Sequence, residues 1–144
     1  PRRPFSLACA PMSVERVTYL DSSAIVKLVI REAESAALVR YVRRRKPLVS
    51  SALARTEVAR AVLALGAAAA QRCQEVLSRI ELIRINDRVL AAAGAMLPFD
   101  VRSLDALHLA TATLCGPELK QLVTYDSRMA AAARSQAITV VTPK

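Results

Sequence analysis

The chain has 144 residues, 53% of them hydrophobic and 3% aromatic, with a formal net charge of +9 from 21 Lys plus Arg against 12 Asp plus Glu. That length fits one domain whose core can stand without disulfides or a structural metal. The aliphatic composition, with no Trp and two Phe, argues against base-stacking platforms for single strands, while the basic excess favours polyanionic partners, nucleic acid first and an acidic protein second.

Residues 1–14, rich in Arg and Pro, are expected to form a poorly ordered extension ahead of a start near Met12 or Val14. The apolar centre of this stretch is too short and interrupted for an export signal. A single domain is expected over residues 15–144. It begins with Val17 to Leu20, a short continuous apolar run that predicts a strand buried on both faces. Asp21-Ser22-Ser23 supplies cap chemistry for a helix through Val29. A second helix is predicted from about Glu34 to Arg44. The basic run Arg43 to Lys46 closes it with the sign that a helix C-terminus prefers. Pro47 ends that helix, and Leu48-Val49 reads as the second strand.

Ser50-Ser51 is read as opening a helix that carries Leu53, Glu57, Val58 and Val62, with Gly66 ending it in a left-handed cap. Ala67 to Arg79 forms the next helix, and the two make a helical hairpin. Ile80 to Ile85 alternates with period two and predicts a strand near a sheet edge. Asn86 or Asp87 caps a helix to Met96, which Pro98 breaks. Ser103 is expected to cap the helix Leu104 to Leu114, with Leu104, Leu107, His108 and Ala112 on its buried face. Leu122 to Thr124 is the next buried strand, followed by a helix from Ser127 to Arg134 and a last strand at Ile138 to Val141. Strands separated this regularly by helices imply a three-layer α/β/α sandwich around a mainly parallel sheet.

Asp21, Glu57, Asp105 and Asp126 stand where strands stop or helices start. Each has an ordinary role when taken alone: Asp21 and Asp126 as N-caps, Asp105 as a partner of a helix dipole, Glu57 on a solvated face. Taken together they gain meaning. In a parallel sheet the carboxyl ends of strands open on one crevice, where acids distant in sequence converge. Crowded carboxylates repel, so such a cluster calls for a cation. Cys9, Cys73 and Cys115 are widely spaced with no C-x-x-C pair, and the chain holds a single His. Neither a zinc site nor a disulfide framework is indicated, and a reducing cytoplasm is the expected setting. The longest apolar stretch, Ala61 to Ala70, is about half of what spans a bilayer.

The stretches Thr18-Tyr19-Leu20-Asp21-Ser22-Ser23-Ala24, Ala54-Arg55-Thr56-Glu57-Val58, Ser103 to Ala112 and Val123-Thr124-Tyr125-Asp126 resemble PIN-domain nucleases, and most of all VapC toxins of bacterial toxin–antitoxin pairs. The likeness runs from about Val17 to the C-terminus. It implies a Mg²⁺- or Mn²⁺-dependent endoribonuclease, with all four acids on the family's acidic quartet. Asp21 and Asp105 are expected to coordinate metal directly, and Glu57 and Asp126 to act through water or a second ion. Ser22 and Thr124 beside the quartet can orient a carboxylate or water, with capping an equal alternative. Arg102 and Arg128 flank the expected cleft and can grip RNA phosphates. His108 reads as a satisfied core residue rather than a general base. The resemblance also implies a small VapB-like antitoxin partner and a homodimer. Two other readings stay open: a catalytically silent RNA- or protein-binding module on the same fold, and an aspartyl phosphoryl-transfer enzyme with Asp21 as nucleophile.

Overall fold

The computed structural model describes residues 16–144; the expected extension over residues 1–14 lies outside them. Five strands form one parallel sheet in the order β3-β2-β1-β4-β5. These are β1 (Val17–Leu20), β2 (Leu48–Ser51), β3 (Glu81–Ile83), β4 (Leu119–Val123) and β5 (Val140–Val141). The helices are α1 (Ser22–Val29), α2 (Ser35–Arg43), α3 (Ala54–Val62), α4 (Ala67–Leu77), α5 (Asp87–Gly94), α6 (Ser103–Leu114) and α7 (Ser127–Ser135). The α/β/α architecture and the element order match the expectation.

Period-two alternation divides the interior into two cores, one on each side of the sheet. Leu20, Leu48 and Val123 point to the side covered by α1 to α4, where they meet Ile25, Leu38, Val58 and Leu77. Their strand neighbours Tyr19, Val49 and Leu122 point the other way, against Leu109, Met129 and Ala133 of α6 and α7. A fully buried Leu, Ile or Val contributes about 1.5–3 kcal/mol, so these aliphatic layers, not aromatic stacking, hold the sandwich together.

Several boundaries differ from the sequence reading, each for a local reason. Ser50 and Ser51 do not open a helix but finish β2, fully buried. The Ser50 hydroxyl donates to the Leu20 carbonyl at 2.6 Å, which satisfies a polar side chain in the middle of the sheet. Ser51 Oγ accepts from Leu53 N–H in the turn before α3. Gly66 has φ 94° and ψ −172°, a region essentially restricted to glycine, rather than the left-handed helical cap expected. Arg102, not Ser103, occupies the N-cap of α6, without a side-chain hydrogen bond. Leu104 is exposed, and the buried face of α6 runs through Ala106, His108, Leu109, Thr111 and Ala112. The third strand shrinks to Glu81–Ile83 at the sheet edge and the fifth to Val140–Val141. In contrast, β4 starts early because Gln121 is buried and donates to Thr18 Oγ1 across the β1–β4 pair.

Candidate active site

All of the parallel strands point the same way, so the residues that follow β1 and β4 leave the sheet along one rim, the edge at its carboxyl end. Asp21 follows β1 directly. Asp126 comes three residues after β4 rather than immediately after it, as the sequence had suggested, with Thr124 and Tyr125 between. Both are N-caps: Asp21 Oδ1 accepts from Ala24 N–H, and Asp126 Oδ1 accepts from Arg128 and Met129 N–H. Capping and cluster membership are therefore compatible here, because a carboxylate has more acceptor sites than one cap uses.

Thr124 joins the two. Its hydroxyl donates to Asp21 Oδ2 at 2.6 Å and its oxygen accepts from Asp126 N–H at 3.0 Å. Ser23 completes the setting of Asp21 by donating to Oδ1 at 2.7 Å, while its own oxygen accepts from Tyr125 N–H. Asp21 is only 3% exposed. Burial raises its pKa above the ordinary aspartate range, although the bonds from Thr124, Ser23 and Ala24 N–H pull the other way.

Glu57 reaches the same edge from α3. It is not on a solvated face: Ser22 Oγ donates to Oε1 at 2.5 Å, and His108 Nε2 stands 2.7 Å from the same oxygen. Burial pushes the Glu57 carboxyl up, but these two bonds outweigh it and leave the pKa below the ordinary range. His108 is 2% exposed, and its other nitrogen, Nδ1, lies 2.8 Å from Tyr19 Oη. The two rings meet edge to face at 5.9 Å and 86°.

Asp105 sits in the first turn of α6. Among the described residues its carboxylate makes no hydrogen bond or ion pair. Burial first, then the charges of Asp126 and Glu57, raise its pKa; His108 and Arg102 oppose them. Asp105 thus feels both Asp126 and Glu57 through space, Thr124 links Asp21 with Asp126, and Ser22 and His108 hold Glu57. Arg102 is exposed and close enough for its charge to act on Asp105. Arg128 sits in the first turn of α7, beside the Asp126 cap, and lines a cavity with Pro98, Asp100 and Val101.

Ser22 and Thr124 thus each contact a carboxylate. Ser23 and Tyr19, which also belong to this network, were passed over in the sequence. Ser23 carried a usable signal, since a hydroxyl two residues after an N-cap Asp can turn back onto it. Tyr19 carried none: its partner is 89 residues away.

The PIN domain family model matches residues 18–135. The chain belongs to the PIN-domain family. It is 54% identical over 125 residues to Ribonuclease VapC46 of Mycobacterium tuberculosis, covering 87% of this chain and 96% of that protein. It is 39% identical over 129 residues to Ribonuclease VapC35 of the same species, with the same coverage. Among solved structures, a toxin-antitoxin complex from Klebsiella pneumoniae superimposes with a TM-score of 0.69. That match covers 88% of this chain and 98% of the other at 22% identity, and supports the PIN fold. Among the described residues, no helix is long and apolar enough to cross a membrane.

Proposed function

We infer that this PIN-domain chain is a VapC-type ribonuclease toxin that cleaves RNA phosphodiester bonds and is held in check by a cognate antitoxin. One observation carries the reading: four carboxylates gather at the carboxyl end of the sheet in a protein of net charge +9; the 54% identity to a named ribonuclease agrees with it.

The donor set suits a hard divalent cation, Mg²⁺ or Mn²⁺. Every candidate ligand is a carboxylate oxygen, and among the described residues Asp105 has no counter-charge in direct contact while two other acids repel it. Among the described residues no three His, Cys, Asp or Glu form a ready chelating group. Mg²⁺ is commonly taken by one or two carboxylates and keeps several waters rather than requiring a closed protein cage. Asp21 and Asp105 would hold it, with Glu57 and Asp126 acting through water or a second ion. When bound, the cation supplies neutralisation of phosphate charge and activation of water. The chain's own part is positional. Thr124 and Ser23 fix the Asp21 carboxylate, Ser22 and His108 fix Glu57, and Arg102 offers a guanidinium to a phosphate on the Asp105 side.

The partners follow from the surface. Leu63 and Leu65, between α3 and α4, are exposed, and an apolar groove lies among Leu28, Val39, Val42 and Val76. An amphipathic antitoxin segment fits such a surface. A homodimer would cover Leu90, Leu97, Leu104 and Phe99, the last 94% exposed.

The test is cleavage of total RNA by the purified chain with Mg²⁺, with and without excess EDTA, alongside Asp21→Asn and Asp105→Asn. Cleavage should vanish in EDTA and in both folded variants. Undiminished activity in either setting would overturn the reading.

A further inference from the structure

Tyr19, His108, Glu57 and Ser22 form a continuous hydrogen-bonded line from the core under α6 to the acidic edge. A histidine that merely fills a core needs its nitrogens satisfied and nothing more. Here one nitrogen faces a buried phenol in the central strand and the other faces a carboxylate of the candidate site. The direction of each bond follows from the groups at the two ends. An ionised carboxylate accepts and cannot donate, so the nitrogen 2.7 Å from Glu57 Oε1 must carry the proton. A neutral ring then has a bare Nδ1, and the fully buried Tyr19 hydroxyl, 2.8 Å away, must donate to it. Ser22 adds a second donor to the same Oε1. Among the described residues, Oε2 of Glu57 takes no hydrogen bond and stays available to the cleft.

We propose that Tyr19 and His108 are positioning residues: the Tyr19 hydroxyl, donating to Nδ1, anchors the His108 ring, and the Nε2–H of that ring fixes the Glu57 carboxylate in the orientation RNA cleavage requires. The proposal rests on the ribonuclease reading above and names the part of the site that sets one of its acids. Both residues are buried and stand behind Glu57 rather than in the cleft. Ligand-orienting partners of this kind are typically worth about 10- to 100-fold in activity or metal affinity.

The chain's single histidine makes the test direct. Long-range proton–nitrogen NMR of ¹⁵N-histidine-labelled wild-type protein should show one tautomer, with Nε2 protonated and Nδ1 bare. In Tyr19→Phe the bare Nδ1 loses its donor, so its resonance should move toward that of a nitrogen free of hydrogen bonds while Nε2 stays protonated against Glu57, and kcat should fall about 10-fold with KM for RNA nearly unchanged. His108→Gln places an amide N–H where Nε2 stood and should recover most of the activity. His108→Asn reaches only the Nδ1 position and should be impaired like Tyr19→Phe. A protonated Nδ1 in the wild type overturns the proposal, whether as the other tautomer or as imidazolium. So do equal losses in the Gln and Asn variants, or an unchanged kcat in folded Tyr19→Phe. The wild-type spectrum needs no variant to fold. If the wild type cleaves no RNA, the ribonuclease reading fails, while the tautomer measurement still judges the relay.

Discussion

Asp21 and Asp105 bear the same carboxylate on the same edge of the sheet, in opposite surroundings. Asp21 is enclosed by donors from Thr124, Ser23 and the Ala24 backbone. Asp105 has no donor among the described residues and faces the charges of Asp126 and Glu57. Both carboxyls are raised above the ordinary range, but for different reasons. For Asp21 burial alone overrides three favourable bonds, whereas for Asp105 repulsion adds to burial. The first acid is built into the fold and the second is tolerated by it. A site organised in this way keeps one ligand rigid and leaves the other short of a cation.

Removing each acid should therefore move stability in opposite directions. Asp21→Ala strips the α1 cap and strands the Thr124 hydroxyl and Ala24 N–H in the interior, so it should cost about 2 kcal/mol. Asp105→Ala loses no hydrogen bond and relieves repulsion, so its Tm without divalent ions should lie above that of the wild type. Both should abolish cleavage. Adding Mg²⁺ should then raise the wild-type Tm, by linkage worth about 2.7 kcal/mol at 100 times Kd, and leave Asp105→Ala unmoved. Thermal melts with and without Mg²⁺ decide the matter, and a destabilised Asp105→Ala would erase the contrast.

The pH dependence sets the bare Asp105 against another held acid, Glu57. Asp105 has a folded pKa above its unfolded value, so the folded state binds its proton more tightly. Its ionisation destabilises the fold fully above the folded pKa, and the penalty disappears as pH falls below the unfolded one. Without divalent ions, Asp105→Asn should gain on wild type as pH rises from the ordinary aspartate range toward neutrality, and show no advantage below it. Glu57 runs the other way. Its folded pKa is depressed, so its stabilisation is present above the ordinary glutamate value and is lost as pH falls through the folded pKa. Denaturant melts of Asp105→Asn and Glu57→Gln across that window should diverge from wild type in opposite senses.

The held and bare acids were not equally legible in the sequence. Val17 to Leu20 and Leu122-Val123 announce themselves as buried strands because their residues are apolar or β-branched, and the acids after them follow from topology. The donors were harder to see. Ser50 and Ser51 looked like a helix start because serines commonly cap helices, yet Ser50 is paired with the Leu20 carbonyl 30 residues away. Gln121 gave no strand signal, since its burial depends on Thr18. Glu57 looked solvated because its two donors, Ser22 and His108, lie 35 and 51 residues distant. Local propensity marks caps and strands, but a polar group's reason for being buried sits on another element. The bareness of Asp105 is a statement about what does not approach it, which no sequence pattern records.

The smallest effect concerns the rim of the bare side. Arg102 and Arg128 look equivalent in the sequence, one on either side of the expected cleft, but the fold separates them. The charge of Arg102 reaches Asp105, while the Arg128 side chain lines a cavity beside Asp100. If RNA lies across the bare edge, only the first meets a phosphate near the scissile bond. Arg102→Ala, measured in a cleavage-dead Asp105→Asn background, should weaken RNA binding and flatten the plot of log affinity against log salt by about 0.7, one single-strand phosphate. Arg128→Ala in the same background should leave the slope unchanged. The reverse pattern would route the RNA over α7, on the side where Asp126 is anchored by its cap, and would make the anchored acids rather than the bare one the face that substrate meets.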